Sequence, residues 1–393
     1  MPLSEPDLGR GAGWDWMESL RCPACLGPLR LDPAGGGIVK ASGLTCGPCR
    51  LAFAVRDGVA IFGVPEKAKQ EALQEIAAED RWHFRFTQDE AHLQFAQLSF
   101  RIGERIIRRL EELVPAEDTV RVLDLGAGAG PFSWALARRG YRVMSSDISL
   151  ANMLVAAGYV ERGSFFGRLV GHSGLLPFES SYFDVVFSKE LMHHVPDLVG
   201  ELRECGRVLK PGGLLVLHDP MWPIRQRPNE DAATAQGIHH VYRNALGHLR
   251  SLKRAGFTVC DVLDHRGPVN PKRSPILAAL DRMLVHTLNL DDWSGPLMVK
   301  ALRSTILGGS MTTIAKWSWP RTPSHAQTDL CRGVVPMDPQ LALDEVEAVE
   351  RATGELVPRL VGLFAEIERE ADNELRSRIE SLLVSERDGR SVG

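Results

Sequence analysis

The stretch Val122-Leu123-Asp124-Leu125-Gly126-Ala127-Gly128-Ala129-Gly130 decides how this chain is read. Val120 to Leu125 is an apolar strand, and it runs into three glycines at alternate positions. Those glycines let the backbone turn sharply after the strand and approach a ligand closely. Pro131 to Arg139 reads as a helix, with proline in its first turn and Gly140 as its stop. Tyr141 to Ser146 is a second strand, and Asp147 ends it, 23 residues after Asp124. An acid at that place can accept both ribose hydroxyls of an adenosine ligand.

The glycine spacing narrows the ligand. A dinucleotide fingerprint is G-x-G-x-x-G, with its third glycine in the first turn of the helix. Here the spacing is G-x-G-x-G, and Pro131 stands where that third glycine would be. S-adenosylmethionine (SAM) has no pyrophosphate for the helix N-terminus to hold. It needs room for a methionine tail and a partner for its amino group, and Asp124 can supply the partner.

Farther out, Phe165 to Val170, Phe183 to Ser188, Leu214 to His218 and Phe257 to Leu263 read as strands, and Met311 to Ala315 as a seventh. Pro211-Gly212-Gly213 turns the chain into the fifth, and Tyr242 to Ala255 reads as a helix. This alternation predicts a doubly wound α/β domain with a mostly parallel sheet and ligands at the carboxyl ends of its strands.

Further motifs follow in order: Leu176-Pro177-Phe178, Phe183-Asp184-Val185-Val186, Leu191-Met192-His193-His194-Val195 and Leu209-Lys210-Pro211-Gly212-Gly213. On these residues, with Asp124 to Gly130 and Asp147, the chain resembles the class I SAM-dependent methyltransferases, in their small-molecule, methyltransferase 11-like branch. The resemblance is tight over residues 119 to 220 and loose on to about 318. It implies a Rossmann-like seven-stranded sheet with helices on both faces, and SAM as cofactor. The cofactor-binding set it implies is Asp124, Gly126, Ala127, Gly128, Gly130, Asp147, Ile148, His172, Ser173 and Ser188. One position departs from the family. Its "GDA" turn after the third strand carries an acid that reads the adenine amino group, and here the turn is Gly171-His172-Ser173. A histidine can accept or donate through one ring nitrogen. Adenine recognition, altered cofactor binding and a SAM-binding protein that transfers no methyl group all stay open.

Near the start, Cys22-Pro23-Ala24-Cys25 and Cys46-Gly47-Pro48-Cys49 are separated by 20 residues. Two C-x2-C knuckles at this spacing suit a tetrahedral zinc ribbon. Four sulfurs leave no position for water, so Cys22, Cys25, Cys46 and Cys49 are expected to hold a structural Zn2+. Such a short segment has too little core to be stable alone, and the metal supplies that stability. With Leu20, Pro28, Leu29, Leu44, Phe53, Val55 and Gly58, the segment resembles the small zinc-ribbon proteins that activate translation-factor and tRNA methyltransferases. A similar front end occurs in rRNA guanine methyltransferases, so an RNA-directed reading accompanies the small-molecule one.

Charge speaks against nucleic acid. The chain has 46 Lys and Arg against 50 Asp and Glu, a formal net charge of −4. Phosphate binding relies on excess positive charge, and residues 1–65 are balanced. No run of about 18 apolar residues suggests a membrane span. Met1 to Leu20 carries Glu5, Asp7, Asp15 and Glu18 and has no basic-then-apolar order, so no secretory signal is expected. Cys205, Cys260 and Cys331 are scattered, which fits buried thiols in a reducing compartment, and cytoplasm is the expected location.

The expected organisation is a zinc ribbon at 18–64, a helical linker or lid at 65–118, and a SAM-binding domain at 119–319. That domain includes a cap insertion at 264–309, and a linker and C-terminal helix follow at 320–393. The apolar stripe Leu360, Leu363, Ile367, Ala371, Leu375, Ile379 and Leu382 is expected to pack on a neighbour or to form a homodimer. Trp82-His83-Phe84 is either a lid over the methionine end of the cofactor or packing for the helical segment.

A general base is needed only where the acceptor must lose a proton. Lys189, Glu190, His193 and His194 lie past the fourth strand. His218 and Asp219 lie past the fifth, followed by Trp222, His239, His240 and Tyr242. His218, His240 and His194 are the catalytic candidates. The reading that results is methyl transfer to a small-molecule acceptor, O-, N- or C-directed. An RNA methyltransferase and a SAM-binding protein with a non-methylating role are the alternatives.

Overall fold

A computed structural model describes residues 16–32, 41–70, 72–74, 76, 90–160, 166–221, 240–241, 243–265, 309–317, 334–339 and 346–388. Trp82-His83-Phe84, most of the 264–309 insertion, Trp222, His239, Tyr242 and Cys331 lie outside them.

The N-terminal part is a meander of β1 (Leu29–Asp32), β2 (Gly43–Cys46), β3 (Ala52–Arg56) and β4 (Val59–Ile61), antiparallel throughout. Asp57-Gly58 joins the last two with both residues left-handed, φ 49° and 72°. That is the backbone a two-residue hairpin between right-twisted strands requires. β5 (Gly63–Pro65) follows, and α1 (Glu90–Leu113) leads into the α/β part.

That part runs β6 (Arg121–Leu125), α2 (Pro131–Arg138), β7 (Arg142–Asp147), α3 (Leu150–Val155), α4 (Ala157–Val160) and β8 (Phe166–Val170). It continues with β9 (Phe183–Lys189), α5 (Leu198–Val208), β10 (Leu209–Met221), α6 (Ala245–Ala255), β11 (Phe257–Asp264) and β12 (Gly309–Trp317). Last come β13 (Val334–Pro336), α7 (Val346–Arg351) and α8 (Val357–Asp388).

The seven strands expected of a Rossmann-like sheet are present, and the ribbon strands extend the same sheet. The order is β1-β2-β3-β4-β8-β7-β6-β9-β10-β12-β11. From β4 to β10 every neighbouring pair in this order is parallel, and β12 runs antiparallel between β10 and β11. The chain order reverses between β6 and β9, which opens a crevice beyond their carboxyl ends. Val122, Leu123, Val143, Val185, Val186 and Leu215 are fully buried, as strands covered on both faces must be.

The ribbon joins the α/β part by backbone. Ala60 pairs with Leu169 and Ile61 with Val170, and Phe62 N–H donates to the Val170 carbonyl at 2.8 Å. A second seam pairs Leu20 with Phe178. There Arg21 N–H donates to Pro177 O at 2.9 Å and Glu179 N–H to Ser19 O at 3.0 Å. Trp16 is buried and lies over Gly167 of β8.

Arg207 of α5 holds the turn at 176–178 from beneath. Its guanidinium donates to the carbonyls of Phe178 and Leu176, at 2.7 and 2.8 Å, and to both oxygens of Glu204. Both side chains are 1% exposed, and Glu204 also accepts the Leu176 N–H. Arg207→Ala strands a buried carboxylate and two carbonyls. It is expected to destabilise the fold by about 3–5 kcal/mol, read as a lower urea midpoint with unchanged slope. A change within about 0.5 kcal/mol, as at ordinary surface sites, would contradict this account of the turn.

The first half of α8 packs on its own chain. Phe364 is fully buried, with ring centroids 5.2, 6.1 and 5.8 Å from Phe100, Phe132 and Trp134. Arg138 and Arg139 bridge to Glu368, and Arg108 to Asp372. The stripe expected to serve a neighbour or dimer is therefore taken up within the chain at Leu360 and Ile367. The side chains of Leu375, Ile379 and Leu382 lie outside the described residues.

Candidate functional site

The Gly126 loop leaves β6 at the crevice. Gly126, Gly128 and Gly130 have φ of 72°, 53° and 87°. A Cβ on Gly126 would stand 2.9 Å from that of Leu191, so close approach as well as torsion requires glycine. Asp147, at the end of β7, fixes the loop. Its Oδ2 accepts the Gly128 N–H at 2.8 Å, and its Oδ1 accepts the Ser149 N–H at 2.9 Å. Oδ1 also accepts from the Asn152 side-chain amide at 3.3 Å, so two backbone groups and one side chain hold this carboxylate at the strand end. Ile148 beside it packs on the core.

Asp124 is buried and accepts the Ser133 hydroxyl at 2.6 Å. Burial pushes its carboxyl up to about 7; Ser133 and Lys189 pull it down, and Asp147 pushes it further up. A buried acid in that state suits a cationic ligand group. Ser146 and Ser188, each the last residue but one of a strand beside β6, have buried hydroxyls with no hydrogen-bond partner among the described residues. The positive-φ cradle, the buried acid and these two hydroxyls fit the chemistry of a ligand bearing an ammonium and polar oxygens, such as SAM.

His172 follows β8. Its Nδ1 accepts the Gly174 N–H at 3.0 Å, and burial holds the ring's pKa down at about 4. The neutral ring therefore carries its proton on Nε2 and offers a donor. That suits an adenine ring nitrogen rather than the amino group that the family's acid reads. Behind it lies Glu201 of α5, whose carboxyl burial pushes up to about 8 and which Ser173 engages. The sequence reading did not single out Glu201.

Beyond β9 and β10 the same edge carries two histidine groups. His193, His194 and His240 stack together, with centroids 4.0, 5.0 and 5.1 Å apart. Asp219 Oδ1 lies 2.9 Å from His193 Nδ1 and accepts its backbone N–H at 3.2 Å. His218 stands apart and fully buried, with Nδ1 3.0 Å from Thr312 Oγ1 and Nε2 3.9 Å from Glu190 Oε1. His265 Nε2 reaches the same Thr312 hydroxyl at 2.7 Å. Burial pushes His218 well down, and Lys189 adds to this, so the ring is neutral. Of the catalytic candidates, His194 and His240 are brought together and His218 is not. Thr312 and His265 were missed because β12 reaches β10 only through tertiary pairing.

In the ribbon, Cys22 and Cys49 sulfurs are 3.4 Å apart, Cys25 and Cys46 3.5 Å, and Cys25 and Cys49 3.7 Å. Tetrahedral zinc with Zn–S bonds of about 2.3 Å separates its sulfurs by about 3.8 Å. None of the four is in a disulfide, and of the scattered cysteines expected to be buried Cys205 is, whereas Cys260 is exposed on β11. The residue after each knuckle, Leu26 and Arg50, is left-handed at φ 55° and 60°. Each sends its N–H back to the first cysteine's carbonyl, at 2.7 and 2.9 Å. The two knuckles thus repeat one geometry, and the sulfur set fits zinc.

Residues 123–217 match the family described as "Methyltransferase domain", and residues 16–58 match "Trm112p-like protein". The methyltransferase GfsG of Streptomyces halstedii is 28% identical over 193 residues, 46% of this chain and 68% of that protein. A ubiquinone biosynthesis O-methyltransferase of a Caulobacter species is 37% identical over 127 residues, 31% of this chain and 50% of its own length. The chain thus spans about half the length of that relative. Among solved structures, a complex of the Haloferax volcanii Trm112 methyltransferase activator with a methyltransferase aligns at TM-score 0.44 and 21% identity. That alignment covers 60% of this chain and 97% of the other. The chain carries a methyltransferase domain fused to a Trm112-like cysteine ribbon. No helix among the described residues is long and apolar enough to cross a membrane.

Proposed function

We propose that this chain transfers the methyl group of SAM to a hydroxyl oxygen of a small biosynthetic acceptor, within a reducing cytoplasm. One juxtaposition carries the reading. The Gly126 loop and the imidazole and carboxylate groups past β9 and β10 lie at one edge of one parallel sheet, on consecutive strands about 4.8 Å apart. SAM, when bound, supplies an electrophilic methyl group. The remaining work is positioning the acceptor and taking its proton. Asp124 would face the amino group and Asp147 the ribose. His172 would meet the adenine, and His194, His240 or His218 would take the proton. O-directed transfer to a small molecule is what the names of the ubiquinone relatives support. The net charge of −4 weighs against the RNA-directed reading, which rests on the ribbon.

The test is formation of S-adenosylhomocysteine from methyl-labelled SAM across a panel of phenols, catechols and sugar hydroxyls. The expected result is label transferred to at least one class of hydroxyl. SAM bound with no transfer to any acceptor would favour the non-methylating reading.

Asp124 adds a pH dependence. Its carboxyl, raised to about 7, must be ionised to face an ammonium. SAM affinity should therefore rise between pH 6 and pH 8, with proton release on binding at the lower pH. A titration series in buffers of different ionisation enthalpy reads this; a flat or falling affinity would contradict the pairing.

A further inference from the structure

We infer that His193, His194 and His240 form a second metal site, distinct from the four-cysteine one, for a first-row divalent transition metal such as zinc. One ligating atom of each ring lies within 4.8 Å of the others. Three imidazoles suit zinc, iron, nickel or copper, whereas magnesium and calcium prefer oxygen donors. A three-histidine zinc keeps a position open for a further ligand, unlike the closed four-sulfur site.

The surroundings of the trio support a built site. Asp219 is 2% exposed, and its Oδ1 holds His193 Nδ1 at 2.9 Å. A carboxylate behind a ligating imidazole fixes its tautomer and turns Nε2 toward the metal, the usual arrangement behind a metal-bound histidine. The segment carrying His240 is also stapled to the one carrying His193 and His194. Val241 N–H donates to the His193 carbonyl at 2.6 Å. The Arg243 guanidinium donates to the carbonyls of Met192, Val195 and Pro196. These bonds bring His240, 46 residues on in sequence, onto the adjacent pair.

The place gives the site a use. Leu191, two residues before His193, packs against Gly126 of the cofactor loop. A metal at the trio would lie on the acceptor side of the crevice, with its open position suited to an acceptor oxygen. That last clause rests on the methyltransferase reading; the metal site itself does not.

The test loads full-length protein with zinc, removes unbound ion by desalting, and measures zinc per chain by mass spectrometry. Two zinc ions per chain are expected in the wild type, and one in His194→Ala/His240→Ala with the melting profile retained. Should that double variant not fold, the single His240→Gln variant, altered at a half-buried position, carries the same comparison. Asp219→Asn should weaken the second zinc by about 10–100-fold in chelator competition and leave the first untouched. One zinc in the wild type, or two in the folded histidine variants, would overturn the site. Two zinc ions with no SAM binding would overturn the functional reading and leave the site standing.

Discussion

Asp147→Ala is expected to weaken SAM binding by roughly 100-fold or more, with the fold intact. The acid stands at the end of β7, where its oxygens already hold the N–H groups of Gly128 and Ser149. In the proposed complex the same carboxylate accepts from the two ribose hydroxyls. Hydrogen bonds to a charged group contribute about 1.5–3 kcal/mol each, and 1.4 kcal/mol is tenfold in affinity. Losing two such bonds gives the stated factor before any loosening of the Gly128 turn. Asp147→Asn keeps one acceptor oxygen and should fall between wild type and alanine. Calorimetric titration of the three proteins checks the order. Equal affinity in wild type and Asp147→Ala would contradict the assignment of this acid.

Removing the ribbon metal should have the largest effect on stability. Structural zinc in small domains contributes apparent binding energies of about 10–16 kcal/mol near neutral pH, comparable to the whole stability of a typical domain. Here the loss would not stay local. β4 covers β8 by parallel pairing, and Leu20 and Phe178 are paired across the second seam. Unfolding the ribbon uncovers an edge of the catalytic sheet, and exposed edges invite association between chains. Chelator-stripped protein, or the Cys46→Ser variant, is expected to melt at lower temperature, to aggregate, and to expose the buried Trp16 to quenchers. An unchanged melting temperature after complete zinc loss would show that the ribbon is not part of the sheet's stability.

Local chemistry made much of this legible. The Gly126 loop, the strand-helix alternation and the cysteine knuckles are signals within a few residues, and each corresponds to an element of the structure. The expected strand Val120 to Leu125 is observed as Arg121–Leu125, and Met311 to Ala315 lies within Gly309–Trp317. Backbone pairing between distant segments was not legible. Val59 to Phe62 is a continuous apolar run whose residues are all buried, as in a strand covered on both faces. That pattern could have suggested that the ribbon enters the main sheet, though not that its neighbour is β8. Nothing local in the sequence marks Arg207, because the carbonyls it holds belong to a turn about thirty residues earlier. The histidines were visible one by one. Their grouping depends on Arg243 and Val241 closing one loop on another, which no spacing rule reports.

The most direct test of the central claim is calorimetric titration of the zinc-loaded wild-type chain with SAM and with S-adenosylhomocysteine. Binding of both at about 1–100 µM, ordinary for a cofactor of about −5 to −8 kcal/mol, is the expected result. Absence of binding by either, from protein with a full zinc complement and an intact melting transition, would contradict the reading of the Gly126 loop as a SAM site.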